Sequence, residues 1–325
     1  MGKFITRVPG ACFIALSLSA WAQPAAQPYP TKPIRMLVGF TPGGGTDIIA
    51  RLVGQKLTER WGQTVVVDNR AGASGNIAAD IVAKSQPDGH TLLMAFSSHA
   101  ANAASFQKLP FDIMKDFTSI TIVASAPMTV AVHPSLPARN LTELIQIAKA
   151  KPGALRFGSS GVGTPVHLVG EWMQQLAGVS MVHVPYKGIA PAMIAILGGE
   201  IQVTYAAVIS GLQHYLSGRL RAIAVASAKR FPALADVPTS AESGLPGFET
   251  DFWYGLVGPA AMPRPLVDRI QREVGAIVQA PDMKENLLGQ GSVPGGGKPE
   301  ELTALIKTEY QRWAKVVKTA GVKLD

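Results

Sequence analysis

Glycine, threonine and serine gather twice in this chain, each time directly ahead of a segment with helical apolar spacing. The first cluster is Thr41-Pro42-Gly43-Gly44-Gly45-Thr46-Asp47, and the second is Gly158-Ser159-Ser160-Gly161-Val162-Gly163-Thr164-Pro165. Glycine lets backbone N–H groups turn toward one point, and the first four N–H groups of a helix have no partner inside it. With the positive end of the helix dipole they make a site for a phosphate or a carboxylate. The loops lie about 115 residues apart, close to one domain length. Two lobes, each offering donors to a ligand held between them, would use such a pair as a carboxylate clamp.

Other reactive residues offer competing chemistry. Ser97-Ser98-His99 and the Ser160 and His167 pair suggest a nucleophile with its base, hence an exported α/β serine hydrolase as the rival function. No G-x-S-x-G completes, because Val162 stands at its last position. His167 and Glu171 share a helical face, but two ligands do not make a zinc site. Gly291–Lys298 misses the P-loop pattern at Ser292 and Pro299, and G-x-G-x-x-G fails at Ile48 and Val166. These residues therefore predict no enzyme activity, no cofactor and no metal. Asp47 is expected to complement the helix dipole and orient its loop, since a carboxylate aimed into an anion site would repel the ligand.

The elements that must position these residues follow from periodicity. A buried strand at 33–40 runs into the first loop, and a helix at 47–60 follows, with Thr46 as its cap. Then come a strand at 64–69, a helix at 77–84 and a strand at 91–96. A second round starts with a strand at 128–133 and a helix at 141–150. A strand at 155–157 leads to the second loop and a helix at 164–177, with Thr164 as N-cap and Pro165 in the first turn. Strands at 182–186, 201–205 and 220–227, and helices at 189–197 and 300–320, complete the pattern. Strand–helix alternation predicts mostly parallel sheets flanked by helices, with ligand beyond the strands' C-terminal ends. Phe252-Trp253-Tyr254-Gly255 lies where the chain re-enters the first lobe, so Trp253 is open between core residue and ligand platform.

The N-terminus carries Lys3 and Arg7, an apolar run over 11–20, and the small-x-small site Ala20-Trp21-Ala22. This pattern predicts a secretory signal over residues 1–22, cleaved before Gln23. Cys12 is the only cysteine, so the exported chain would contain no disulfide. A net charge of +8 could suggest nucleic acid, yet the basic residues are scattered with no interleaved aromatic run, which excludes that class.

Several segments resemble the Bug family, named for Bordetella uptake genes. They include Tyr29-Pro30-Thr31-Lys32-Pro33-Ile34, Phe40–Asp47, Val67–Asn76, Pro87–Leu92, Gly158–Leu168, Val184–Gly188 and Leu220–Val225, in order along nearly the whole exported chain. The resemblance implies an extracytoplasmic solute-binding receptor of a tripartite tricarboxylate transporter. It implies an α/β, two-lobed periplasmic-binding-protein fold of the Venus-flytrap kind. It also implies a small carboxylate held by main-chain amides, hydroxyls and water, and delivery to a permease with one large and one small membrane subunit. The expected layout is a first lobe over 23–127 plus 251–325 and a second over 128–250, in a periplasmic monomer. The expected ligand contacts are Thr41, Gly43, Gly44, Gly45, Thr46, Asp47, Ser97, Ser98, Ser159, Ser160, Gly161, Thr164, His167, Tyr186, Lys187 and Tyr205. One departure stands out: where the family usually carries acids, this chain has Gln202 and Ala206. A ligand-presenting receptor for a sensor system would need the same clamp.

Overall fold

The computed structural model describes residues 1, 2, 4, 29–106 and 108–320. The apolar run and cleavage site expected at 11–22 lie outside the described residues. Strand β1 (Ile34–Val38) is almost wholly buried and feeds helix α1 (Gly45–Trp61), which stops at Gly62 in the left-handed region. Strand β2 (Val65–Asn69), helix α2 (Asn76–Ala83), strand β3 (Thr91–Phe96) and helix α3 (Ser98–Ser105) follow. The long strand β4 (Phe117–Val132) leads to helix α4 (Leu141–Ala150), capped by the Asn140 side chain accepting from the Glu143 N–H. Next are β5 (Arg156–Ser159), α5 (Pro165–Ala177), β6 (Val182–Pro185), α6 (Ile189–Leu197), β7 (Val203–Ala207), α7 (Val208–Leu216) and β8 (Arg221–Val225). The chain closes with β9 (Asp251–Pro259), α8 (Arg264–Gln279), α9 (Pro281–Gly289), β10 (Val293–Pro294) and α10 (Pro299–Ala320).

These strands form an α/β architecture around two linked sheet regions. In the first, β2, β1 and β3 run parallel, β9 joins β3 antiparallel, and the first part of β4 pairs with β9 and β10. In the second, β6, β5 and β7 run parallel, while residues 128–132 of β4 pair antiparallel with β7 and β8. β4 therefore belongs to both, and the lobe boundary expected at 127/128 falls inside one continuous strand. Its Val-, Ile- and Ala-rich sequence is buried along both regions, so nothing in its composition marks the crossing. Helix α10 buries Leu302, Ile306 and Trp313, and the Trp313 ring N–H donates to Glu309 at 3.0 Å.

Two local expectations are corrected. Helix α1 begins at Gly45 with Gly44 as its N-cap, so Thr46 lies in the first turn and does not cap it. The strand expected at 201–205 is shifted to 203–207, which moves Tyr205 from a strand end to its middle. The C-terminal ends of β1, β3, β5, β6 and β7 open toward one region, and both glycine loops meet there.

Candidate ligand-binding site

The first loop is shaped from behind by Asp47. Its carboxylate accepts from the Gly43 N–H at 2.9 Å, from Arg51 Nε at 3.0 Å and from Asn69 Nδ2 at 3.0 Å. Burial pushes this carboxyl up, but the bonds from Arg51, Gly43 and Asn69 outweigh it and hold the group below the usual carboxylate range. Gly43 takes φ +88°, a left-handed conformation that glycine adopts freely. The loop thus delivers the start of α1 to the cleft with the negative charge turned away from it.

The second loop is braced by side chains of its own sequence. Thr164 Oγ1 donates to the Gly161 carbonyl at 2.7 Å, and Ser160 Oγ donates to Thr164 Oγ1 at 3.1 Å. Thr164 is the N-cap residue of α5, but its hydroxyl closes the loop and leaves the helix N–H groups free of it. Ser159 Oγ accepts from the Gly161 N–H at 3.1 Å and shares a 2.6 Å hydrogen bond with His183 Nε2. His183 stacks on His167 with centroids 3.9 Å apart, and His167 Nδ1 accepts from the Gly163 N–H at 3.2 Å. Burial pushes His167 down to about 4, and burial together with the neighbouring His167 pushes His183 down to about 3. Both rings are therefore neutral spacers under the loop. Replacing Thr164 with valine removes the partner of a buried carbonyl and a buried hydroxyl. We expect a loss of about 1–3 kcal/mol in a urea melt, with a wild-type melt counting against this role.

Between the loops lie two connected spaces. The inner one has an open volume of about 30 Å³ and is lined by Gly44, Gly45, Thr46, Ser160, Val166, Ser210 and Tyr254, with Phe40, Phe96 and Phe252. That is room for one or two water-sized groups. The outer one, about 750 Å³, is lined by Thr41, Gly72–Gly75, Ser160–Val162 and Pro185–Lys187, among others. Phe40 and Ser160 border both. No acidic side chain lines either space, and Lys187 brings a cation to the outer one. The Gly45 N–H donates to Ser210 Oγ across the cleft at 3.3 Å. The N–H groups of Thr46 on α1 and of Val166 on α5 begin their helices beside the inner space, where the helix geometry provides them no acceptor.

Of the sixteen expected contacts, the structure thus brings Thr41, Gly44, Gly45, Thr46, Ser160, Gly161, Tyr186 and Lys187 onto the walls. Gly43, Asp47, Ser159, Thr164 and His167 stand behind them as loop supports. Ser97 is fully buried and accepts from the Trp253 N–H at 2.8 Å, and Ser98 is also buried. Tyr205 is buried against Phe157 and Phe248. The serine–histidine pairs considered above do not form: His99 Nδ1 turns to the backbone of Phe96, and Ser160 bonds Thr164. His167 Nε2 lies 3.6 Å from Glu171, and among the described residues no group of three or more acids or histidines is placed to hold a metal. Ala206 packs with Met193, Ile196 and Leu220, away from the cleft, and Gln202 accepts from the Arg156 N–H.

Sequence reasoning missed the aromatic wall and Ser210. Strand alternation could have found part of it. On β9, Phe252 and Tyr254 face the cleft, while Trp253 turns to the opposite core with Leu302 and Ile306.

A cleft between two α/β sheet regions, lined by two glycine loops, defines a two-lobed solute-binding protein. Residues 49–322 match the family model of the tripartite tricarboxylate transporter family receptors, and the chain belongs to this family. BugT of Bordetella pertussis is 35% identical over 98% of this chain and 99% of its own. The structure of R. palustris Rpa4515 with adipate aligns at TM-score 0.88 with 36% identity, covering 91% of this chain and 99% of that one. MatC from Rhodopseudomonas palustris with bound malate aligns at 0.85 with 29% identity, covering 89% and 100%. No described helix is long and apolar enough to cross a membrane.

Proposed function

We propose that this receptor captures a small carboxylate in the periplasm and hands it to the membrane subunits, one large and one small, of a tripartite tricarboxylate-type transporter. It would act there as a monomer after loss of residues 1–22. The lobes would comprise 23–127 with 251–325, and 128–250, closing on the ligand. The observation that carries this reading is the convergence of two helix N-termini and their serine and threonine hydroxyls on one space free of acidic side chains. The adipate and malate held by the two relatives above support the ligand class. The inner space accepts one carboxylate head, and the outer space and Lys187 accommodate the remainder. Hydrogen bonds to a charged acceptor contribute about 1.5–3 kcal/mol each. Three or four sum to a gross gain of about 4.5–12 kcal/mol, a range that contains the about 8.2 kcal/mol of micromolar binding before the ordering cost is subtracted.

A thermal-shift screen with adipate, malate, citrate and aromatic acids tests this, with the matching amides as controls. A binding acid at 100 times its Kd should stabilise the fold by about 2.7 kcal/mol. Stabilisation by the amides as well as the acids, or by neither, would defeat the carboxylate reading.

A further inference from the structure

The segment Arg70–Asn76 lies outside the two glycine loops, its residues 72–75 line the outer space, and its backbone is unusual. Gly72, Ala73, Ser74 and Gly75 take φ of +135°, +45°, +58° and +96° in succession. Alanine and serine rarely adopt such angles, and two together persist only where the surroundings impose them. Here they do. Asn102 of α3 donates through Nδ2 to the Ser74 carbonyl at 2.9 Å and to Asn76 Oδ1 at 2.8 Å. Behind the turn, a Cβ on Gly39 would lie 2.6 Å from Gly75 Cα, so two backbones are in direct contact. The result of this forced turn is one hydroxyl pointed across the cleft: Ser74 Oγ donates to the carbonyl of Val162 in the facing glycine loop. A Cβ on Gly161 would come within 3.0 Å of the same oxygen.

We propose that Ser74 is a latch between the lobes, a positioning residue that holds the cleft closed at the rim of its outer space. The inference goes beyond the carboxylate reading and does not depend on the ligand, because both partners belong to the protein. Donor and acceptor come from different sheet regions, the first from the β2–α2 connection and the second from the β5–α5 connection. Any opening movement must break this bond. Because the turn is rigid before closure, forming the latch orders only one side-chain torsion.

The test uses protein purified from the periplasm of an expression host, with Cys12→Ser and spin labels on cysteines at Gln55 and Lys149. Both positions are exposed, on α1 and α4 respectively. Inter-label distances are measured without ligand in Ser74 protein, in Ser74→Ala and in Ser74→Gly. One hydrogen bond should change the ratio of short to long distances by a factor of about 2 to 12, lowering it in both variants. Glycine also relieves the positive φ, so the two variants separate the hydroxyl from the strain. A ratio unchanged in both would overturn the latch. So would a ratio lowered by alanine and restored by glycine, which would assign the effect to the turn.

Discussion

Gly45→Ala should remove nearly all affinity for a carboxylate while leaving a folded protein. The new Cβ would stand 2.4 Å from Tyr254 Oη, 2.9 Å from Ile209 Cγ2 and 3.2 Å from Ser210 Oγ. Tyr254 belongs to β9 and the other two to α7, so the methyl group wedges the cleft from within. Opening relieves the contacts with α7, and the fold should lose only about 1–3 kcal/mol from the crowding that remains. The donors of α1 and α5 then no longer reach one carboxylate together. Loss of two charge-assisted hydrogen bonds corresponds to a roughly 10²- to 10⁴-fold weaker Kd. Calorimetric titration with an acid found by the thermal screen measures it. Wild-type affinity in Gly45→Ala would mean that the start of α1 does not touch the ligand.

Acidification should destabilise the protein through the stacked histidines. Above about pH 6.5 both rings are neutral in the folded and unfolded chain, and their packing contributes fully. As pH falls below 6.5 the unfolded chain takes up protons first, because burial holds His167 at about 4 and His183 at about 3 in the folded state. Stability is therefore lost from pH 6.5 down to about 4 through His167, with a limit of about 3 kcal/mol for that ring alone, and on to about 3 through His183. Buried His99 shifts in the same direction for the same reason. Urea midpoints measured across this range should fall more steeply for wild type than for His167→Gln combined with His183→Gln. Parallel curves would show that the pair titrates as free imidazoles do. Since these rings brace the Gly158–Thr164 loop and stay neutral in the folded protein, their contribution to ligand affinity should persist down to about pH 4 and be lost only below it.

The sequence disclosed the parts of this site that follow local rules. Glycine loops preceding helices were visible because left-handed turns and helix starts have compositional signatures, and the strands that end at them alternate or run apolar. Helix α3 was missed because Ser98–Ser105 is made of small and polar residues without an apolar stripe. Tyr205 and Ser98 have the side chains of ligand contacts, and only the sheet register and the packing of α3 decide that they are buried. The Ser159–His183–His167 stack joins residues from β5, β6 and α5, a contact that no spacing along the chain encodes. Likewise, Ser74 is an ordinary loop serine until Asn102 fixes its backbone and Val162 arrives opposite.

The pairing of β9 has a consequence for how the chain is made. Strands β1 to β3 emerge early from the ribosome, but the edge of β3 is covered only by residues 254–257, and the first part of β4 also waits for β9. Until that late segment arrives, the N-terminal half is an unfinished sheet with an open edge, exposed to the pairing hazards of any such edge. Contacts this distant in sequence form slowly. The nascent protein should therefore remain unable to complete its tertiary structure for most of its synthesis. That delay would suit the export proposed above, in which the chain crosses a membrane before it folds.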